Sequence, residues 1–116
     1  MIKHVSEFDE ELVPNLCGGE GEGLLRYAFH DKDAKSKLCA CCTVTLQPGS
    51  SVGYHQHTED DEIYYILSGV GSVNEGDGKR VKVFPGDAIL TGNNGFHDMK
   101  NEGDEPLVFL ATVISY

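Results

Sequence analysis

The segment from Gly49 to Gly69 reads GSSVGYHQHTEDDEIYYILSG. Two histidines, His55 and His57, stand one residue apart, four consecutive acids follow them, and an apolar run then ends at a glycine. Residues two apart on a strand point to the same face, so the two imidazoles begin roughly 7 Å apart and can converge on one metal ion. Imidazole nitrogen suits Zn, Fe, Ni or Cu. The segment therefore predicts a strand that presents a pair of metal ligands.

A carboxylate is placed to join the two histidines. Four residues separate His57 from Glu62, which leaves room for a turn, and Glu62 opens the apolar run EIYYIL. A carboxylate at the start of a returning strand would complete a set of two nitrogens and one oxygen. Glu59, Asp60 and Asp61 are expected in the turn and in contact with solvent, although any of them could replace Glu62 as the ligand.

The rest of the chain alternates short β-like runs with turn residues. Runs such as LLRYAF, LCACCTVTL, RVKVF, DAILT and PLVFLATVISY are separated by segments such as QPGS, NEGDG and PGD. Gly, Asn, Asp and Pro favour turns, and many short strands with frequent turns indicate an all-β sandwich or barrel. Residues 1–23 are predicted to be a lead-in segment, with a short helix from Ser6 to Leu12 that Pro14 ends. Residues 24–116 are predicted to be one barrel domain.

Composition limits the partners. The 116 residues carry 19 acidic and 9 basic side chains, a net charge of −10. Such a surface repels phosphate backbones and anionic lipids, so neither nucleic acid nor a membrane is expected as a partner. No apolar run approaches the roughly 18 residues of a membrane span, and the N-terminus lacks the apolar core of a signal peptide. We therefore expect a cytoplasmic protein.

The four cysteines are Cys17 and a cluster formed by Cys39, Cys41 and Cys42. Their spacing differs from that of zinc sites, which use two pairs with two to four residues inside each pair. In a cytoplasmic chain they are expected to be reduced. They are interpreted as small apolar residues of a strand, with a reactive thiol near a metal as the alternative.

Two segments together resemble the signature motifs of the cupin superfamily. The first motif is matched at every fixed position, by Gly49, His55, His57, Glu62 and Gly69. After a gap of 16 residues, typical of small single-domain cupins, the second motif is matched by Gly86, Asp87, His97 and Asn101. The chain departs from it at Gly92, where the family usually has proline, and at Asn94, where it usually has glycine. Both positions shape a turn and are not metal ligands. The resemblance extends from about residue 38 to about residue 114.

The resemblance implies a double-stranded β-helix, or jelly-roll barrel, that is open at one end. In related proteins two histidines, a glutamate and a later histidine bind one divalent metal inside the barrel. Carried over, the metal ligands are His55, His57, Glu62 and His97, and the ion is Fe, Mn, Ni or Zn. Three nitrogens and one oxygen leave positions of an octahedral site for water or a bidentate substrate. Taken alone, His97 reads equally well as a polar residue at the barrel rim.

Strand parity suggests which residues lie beside the metal. Ser51 and Gly53 share the phase of His55. Four residues are predicted to line the cavity: Cys41, Thr43, Tyr64 and Met99. Tyr64 has the one hydroxyl suited to acid–base or orienting work, and a tyrosine that only packs in the sheet is the alternative.

Two functions stay open on the sequence alone. One is an enzyme of dioxygenase, isomerase or lyase type that acts on a small polar metabolite. The other is a binding or sensor module that holds a small molecule without turnover. A phosphosugar isomerase is disfavoured because it needs cationic groups in the cavity, and Arg26 and Arg80 are the only arginines. The runs EIYYIL and PLVFLATVI are apolar in both phases, which predicts that their second faces are buried in a homodimer.

Overall fold

Ten strands make up most of the computed structural model, which describes residues 1–116. The strands are β1 (Asp9–Pro14), β2 (Glu22–His30), β3 (Leu38–Leu46), β4 (Ser51–Gln56), β5 (Asp60–Ser68), β6 (Gly71–Val73), β7 (Val81–Val83), β8 (Ala88–Thr91), β9 (Phe96–Lys100) and β10 (Leu107–Ser115). Three 3-10 helices of one turn each lie between them, at Val5–Glu7, Leu16–Gly18 and Asp31–Asp33. None of the helices has the length and apolar character needed to cross a membrane. Seven strands correspond to runs named in the sequence analysis: β2, β3, β4, β5, β7, β8 and β10.

The strands form two antiparallel sheets. One has six strands in the order β1-β2-β3-β10-β5-β8, and the other has four in the order β4-β9-β6-β7. Strand β10 lies inside the larger sheet and pairs with both β3 and β5 along its length. Two packed sheets with such non-sequential neighbours are the jelly-roll arrangement, so the predicted all-β double-stranded β-helix is confirmed.

The core lies between the inner faces of the two sheets. On β5 every second residue from Glu62 to Ile66 is buried, and the residues between them are exposed, as a strand with one face on a core requires. The core cluster consists of Leu25, Cys42, Val44, Leu46, Val52, Tyr64, Ile66, Val73, Val83, Ile89, Met99, Leu107, Phe109 and Ala111. The four candidate ligands lie on the walls of this same interior.

The predicted helix from Ser6 to Leu12 is wrong. Only Val5–Glu7 forms a single 3-10 turn, and the following residues form β1, which pairs with β2 from Asp9 to Pro14. Pairing along a sheet edge supplies backbone hydrogen bonds that a short helix with little apolar surface cannot offset by packing. The division at residue 23 remains a prediction, and β1 joins the lead-in segment to the larger sheet.

Gly69 shows why the first motif ends in glycine. Its φ is +82°, in the left-handed region that favours glycine, and a Cβ there would lie 2.4 Å from the carbonyl oxygen of Pro106. The residue therefore needs both an unusual backbone conformation and the absence of a side chain. It closes the end of β5 against the start of β10.

Candidate metal centre

Four side chains from three parts of the fold converge inside the barrel. His55 lies on β4, His57 directly follows it, Glu62 lies near the start of β5, and His97 lies on β9. The three imidazole Nε2 atoms are 3.0–3.2 Å from one another. Glu62 Oε1 lies 3.0 Å from Nε2 of His57, 3.1 Å from that of His97 and 3.8 Å from that of His55. The structure thus brings together all four residues predicted as metal ligands.

A β-bulge sets which residues of β4 face the interior. Val52 pairs with Met99 and His55 pairs with His97, so β4 advances three residues while β9 advances two. The extra residue changes the strand parity, and Val52 therefore shares the inner face with His55. Ser51, predicted to share that face, instead accepts a hydrogen bond from the backbone N–H of Glu20 and lines a separate polar cleft.

Each histidine ring is oriented by its other nitrogen. Nδ1 of His55 lies 2.7 Å from the carbonyl oxygen of Gly53, and Nδ1 of His57 lies 2.7 Å from Oδ1 of Asp60. Both partners only accept hydrogen bonds, so Nδ1 carries a proton and Nε2 is the nitrogen that points into the cluster. Nδ1 of His97 lies 2.9 Å from the Thr91 hydroxyl. Such outer partners hold metal-binding imidazoles in place in known metal sites.

The electrostatics of the cluster centre on Glu62. Burial alone would raise the pKa of this carboxyl, but hydrogen bonds from His55 and His97 lower the pKa to about 2. Burial alone would lower the pKa of His55, and the neighbouring Cys17 thiol and Glu62 carboxylate instead raise it to about 10 in the metal-free protein. For His97 burial prevails and its pKa is lowered. The carboxylate is therefore charged, and it attracts positive charge to this point in the protein.

The donor set fits a six-coordinate metal ion. Bonds of about 2.1 Å place neighbouring ligand atoms roughly 3.0 Å apart and opposite ones roughly 4.2 Å apart. Five of the six separations are 3.0–3.2 Å, and the sixth, between His55 and Glu62, is 3.8 Å. Nitrogen lone pairs and a carboxylate this close repel one another unless a proton or a metal ion lies between them. The chemistry and the spacing of the four atoms both match a metal site.

A cavity of about 210 Å³ opens beside the four ligands. Its walls are formed by Leu16, Cys17, Leu25, Val44, Val52, His55, His57, Glu62, Tyr64 and Ala111. It is smaller than the roughly 300–1,000 Å³ pockets that hold drug-sized ligands. A larger cleft of about 270 Å³ between Ser50 and Glu102 has no hydrophobic lining and lies apart from the four ligands.

Of the four predicted cavity residues, only Tyr64 lines this cavity. Residues Cys42 and Val44 face the interior of β3, so Cys41 and Thr43 point to the opposite side, where Cys41 Sγ accepts a hydrogen bond from Thr112 at 3.6 Å. Met99 is fully buried in the core instead of on the cavity wall. Cys42, Val44 and Leu46 face the core because a strand buries its more hydrophobic face, and Cys41 and Thr43 are therefore directed away from the cavity.

Leu16 and Cys17 line the cavity although no motif indicated them. They lie on the 3-10 helix Leu16–Gly18, which packs against the bulge of β4 so closely that a Cβ on Gly53 would lie 2.1 Å from the carbonyl oxygen of Cys17. Cys17 itself has a φ of +51°. The glycine-rich sequence after Cys17 and the glycine at position 53 are the only sequence signals of this close backbone approach.

The turn that contains the second-motif departures Gly92 and Asn94 leaves His97 in the cluster. Asn93 and Asn94 both have positive φ, at +52° and +66°, a conformation that asparagine tolerates better than most residues. The turn they form leads directly into β9, so His97 still reaches the cluster.

Comparison with known proteins identifies the family. The family model described as the cupin domain matches residues 42–113. The chain belongs to the cupin family. The chain is 36% identical over 114 residues to the oxalate-binding protein of Thermotoga maritima, which covers 98% of this cupin and 93% of that protein. It is 37% identical over 116 residues to the glucose-6-phosphate isomerase of Thermococcus onnurineus, across 89% of this chain and 60% of the isomerase.

A solved structure reproduces the whole fold of this cupin. The crystal structure of a predicted oxalate decarboxylase from Thermotoga maritima matches with a TM-score of 0.93 and 35% identity, covering 100% of both chains. The structure of KdgF from Halomonas matches with a TM-score of 0.76 and 20% identity, over 100% of this chain and 96% of that one. The second likeness concerns the fold alone.

Proposed function

We propose that this cupin binds one divalent transition metal ion, Fe, Mn, Ni or Zn, and holds a small bidentate oxygen ligand of the dicarboxylate class beside it. The ligands are His55, His57, Glu62 and His97. The observation that carries the proposal is the convergence of three imidazole Nε2 atoms and one carboxylate oxygen inside the barrel, with separations of 3.0–3.8 Å. These four side chains would hold the ion, and a donor set of only four protein groups would leave room on it for a small oxygen ligand.

The bound ion would supply Lewis acidity that polarises and neutralises the oxygens of its ligand. The chain itself offers little other positive charge, because neither lysine nor arginine lines the cavity. An anion there is therefore recognised through the metal, while Leu25, Val44 and Val52 form a dry wall that limits its size. The oxalate-binding relative supports the choice of a small dicarboxylate. The absence of a cationic side chain from the cavity makes a phosphosugar ligand a weaker candidate, despite the similarity to the isomerase.

Tyr64 is placed to orient the ligand or the glutamate. It is 3% exposed, lines the cavity and stacks on the His97 ring with centroids 4.6 Å apart. Burial and the nearby Glu62 carboxylate hold the pKa of its hydroxyl well above the usual value. The hydroxyl therefore stays protonated and acts as a hydrogen-bond donor.

Binding without turnover is the function that the cavity supports best. Apart from the four ligands, Tyr64 and the Cys17 thiol are the only lining groups that can exchange a proton. A dioxygenase, isomerase or lyase is the second candidate, favoured by the burial of Tyr64 against His97. In that case Tyr64 would be the proton donor.

The first experiment measures metal content by plasma mass spectrometry and oxalate binding by calorimetry on metal-free and reconstituted protein. We expect about one equivalent of metal, oxalate binding only in its presence, and no oxalate consumption. The His55→Ala variant should lose both, whereas His30→Ala, at a surface histidine paired with Asp9, should keep both. Reconstituted protein without bound metal would refute the proposal, and metal-dependent consumption of oxalate would establish the enzyme instead.

We also propose that this cupin forms a homodimer through the outer face of the larger sheet. Five large apolar side chains on that face are 37–65% exposed: Ile63, Tyr65, Leu67, Leu90 and Ile114. They lie on adjacent strands β10, β5 and β8, so they form one patch rather than isolated exposures. We propose a second copy of this chain as the partner, because a two-fold axis packs the patch of one copy against the same patch of the other and no different complementary surface is needed.

We also propose a cytoplasmic location. The four cysteines are unpaired, and cysteines stay reduced in the cytoplasm.

Sedimentation equilibrium tests the dimer. We expect a mass near twice 12.6 kDa and a shift to monomer in Leu67→Lys. Val81→Lys is the control, because Val81 is a comparably exposed apolar residue on the smaller sheet. A monomeric wild-type protein would remove the claim.

A further inference from the structure

Tyr116, which is 51% exposed, contacts two segments that lead to the candidate ligands. Its hydroxyl donates a hydrogen bond to Oδ1 of Asp61 at 2.8 Å and accepts one from the backbone N–H of Asn93 at 2.8 Å. Its own backbone N–H donates to the carbonyl oxygen of Glu59 at 3.0 Å. One residue therefore joins the turn and first residues of β5 to the loop before β9.

These two loops carry or precede three of the four candidate ligands. The first, residues 57–61, consists of the turn after β4 and the first two residues of β5; it begins with His57 and leads into Glu62. The second, residues 92–95, is the loop between β8 and β9 and leads into His97. Near His57 the loops already share two backbone hydrogen bonds, from His57 to Gly95 and from Asn94 to His57, each 3.0 Å long. The pairing of Glu62 with Thr91 between β5 and β8 holds the two segments at their other end. The hydroxyl of Tyr116 adds a side-chain attachment between Asp61 and Asn93, just beyond that strand pair.

Gly92 shows that this side-chain attachment has its own sequence requirement. A Cβ at this position would lie 1.8 Å from Oδ1 of Asp61 and 3.2 Å from the Tyr116 hydroxyl. A larger residue would therefore push the Asp61 carboxylate away from the tyrosine. Glycine stands here where the second motif of the family usually has proline, so this departure creates the space in which the contact forms.

We propose that Tyr116 is a positioning residue that fixes the ligand-bearing loops relative to each other and thereby slows release of the bound metal. The proposal rests on the metal site proposed above. Because three of the four ligands belong to or follow these loops, relative motion of the loops separates their ligand atoms. Removing a group that hydrogen-bonds a metal ligand directly commonly lowers affinity roughly 10- to 100-fold, and Tyr116 acts one contact further out, through Asp61 and Asn93, so its effect should lie at the low end of that range. We expect the metal dissociation rate of Tyr116→Phe to rise by roughly 10-fold.

The test compares Tyr116→Phe with Tyr65→Phe, which removes a hydroxyl from a tyrosine on the outer face of β5. Two readouts are used: the rate of Co²⁺ transfer to an excess chelator, with the visible spectrum of the Co²⁺ protein, and hydrogen–deuterium exchange of residues 92–95 in the metal-free protein. In Tyr116→Phe we expect faster transfer, an altered Co²⁺ spectrum and faster exchange, and in Tyr65→Phe none of these. A purely structural contribution would lower thermal stability without changing the Co²⁺ spectrum.

A double variant shows whether the tyrosine acts through Asp61. If it does, Asp61→Ala and Asp61→Ala/Tyr116→Phe release Co²⁺ at similar rates, and Gly92→Ala accelerates release in wild type but not in Asp61→Ala. Wild-type rates and spectrum in Tyr116→Phe would overturn the proposal while leaving the metal site intact. Failure of the wild-type protein to bind Co²⁺ would overturn the metal site and the claim about metal release. Exchange in the metal-free protein would still show separately whether Tyr116 joins the loops.

Discussion

The two faces of β5 carry similar apolar residues but differ in burial. Tyr64 and Ile66 on the inner face are almost fully buried, whereas Ile63, Tyr65 and Leu67 on the outer face remain 37–47% exposed. The inner face also carries Glu62 into the ligand cluster. The difference shows that hydrophobicity alone does not determine burial. The pairing partners and the facing sheet do, since the smaller sheet covers only one side of the larger one.

The largest expected effect is the loss of metal affinity when Glu62, the one charged residue on the inner face of β5, is neutralised. Glu62→Gln keeps the side-chain shape but removes the charge that offsets a divalent ion, so metal affinity should fall by more than about 100-fold, beyond the loss typical of outer partners. Competition with a chromophoric chelator measures it. Glu59→Gln changes an acid of the preceding turn and should leave affinity within about 2-fold. Equal losses in both variants would mean that general negative charge, and not the cluster, attracts the metal.

A smaller effect is expected on the free energy of unfolding, which should depend on whether a truncated side chain lies on the packed inner face or on the outer face of β5. Ile66→Ala on the inner face should lower the free energy of unfolding by about 2–5 kcal/mol, because it leaves a cavity in a close-packed core. Ile63→Ala on the outer face should cost less than about 1 kcal/mol per chain when the protein is monomeric. Urea unfolding of the metal-free Leu67→Lys background measures both under equal conditions. Similar costs at the two positions would contradict the view that only one face is packed.

The smallest expected effect is on the pH dependence of stability. It compares the two faces of β3, where Cys42 faces inward and Cys41 faces outward. Burial raises the pKa of the Cys42 thiol from 9.0 to about 12. Its contribution to stability is therefore complete below pH 9.0 and is lost as pH rises towards 12, because the unfolded chain ionises first. Stability should fall more steeply above pH 9 in wild type and in Cys41→Ala than in Cys42→Ala. Chemical unfolding at a series of alkaline pH values measures the slopes, and parallel curves for all three proteins would refute this assignment.

Local patterns in the sequence were sufficient for much of the fold and for part of the site. The period-two alternation of β5 predicted that Glu62 and Tyr64 share a face. The prediction is confirmed, because β5 pairs with β8 without a register shift from Glu62 to Tyr65. His55, His57 and Glu62 could be grouped because a strand, a turn and a strand connect them within eight residues of one another. His97 was grouped with them only through the family resemblance, since it is 40 residues from His57.

What only the tertiary structure decided depends on contacts between distant segments. The bulge of β4 changed the parity at Val52 because it forms only against β9, and β1 replaced a predicted helix because β2 lies beside it. Cys17 reaches the cavity because its backbone packs on Gly53, and Tyr116 joins two loops that are far from it in sequence. The sequence by itself determined the strands and three neighbouring ligands, because alternation and short spacing act within one hairpin. The cavity wall, the outward turn of Cys41 and the contact of Tyr116 required the folded chain, because each depends on which strand or loop becomes a neighbour.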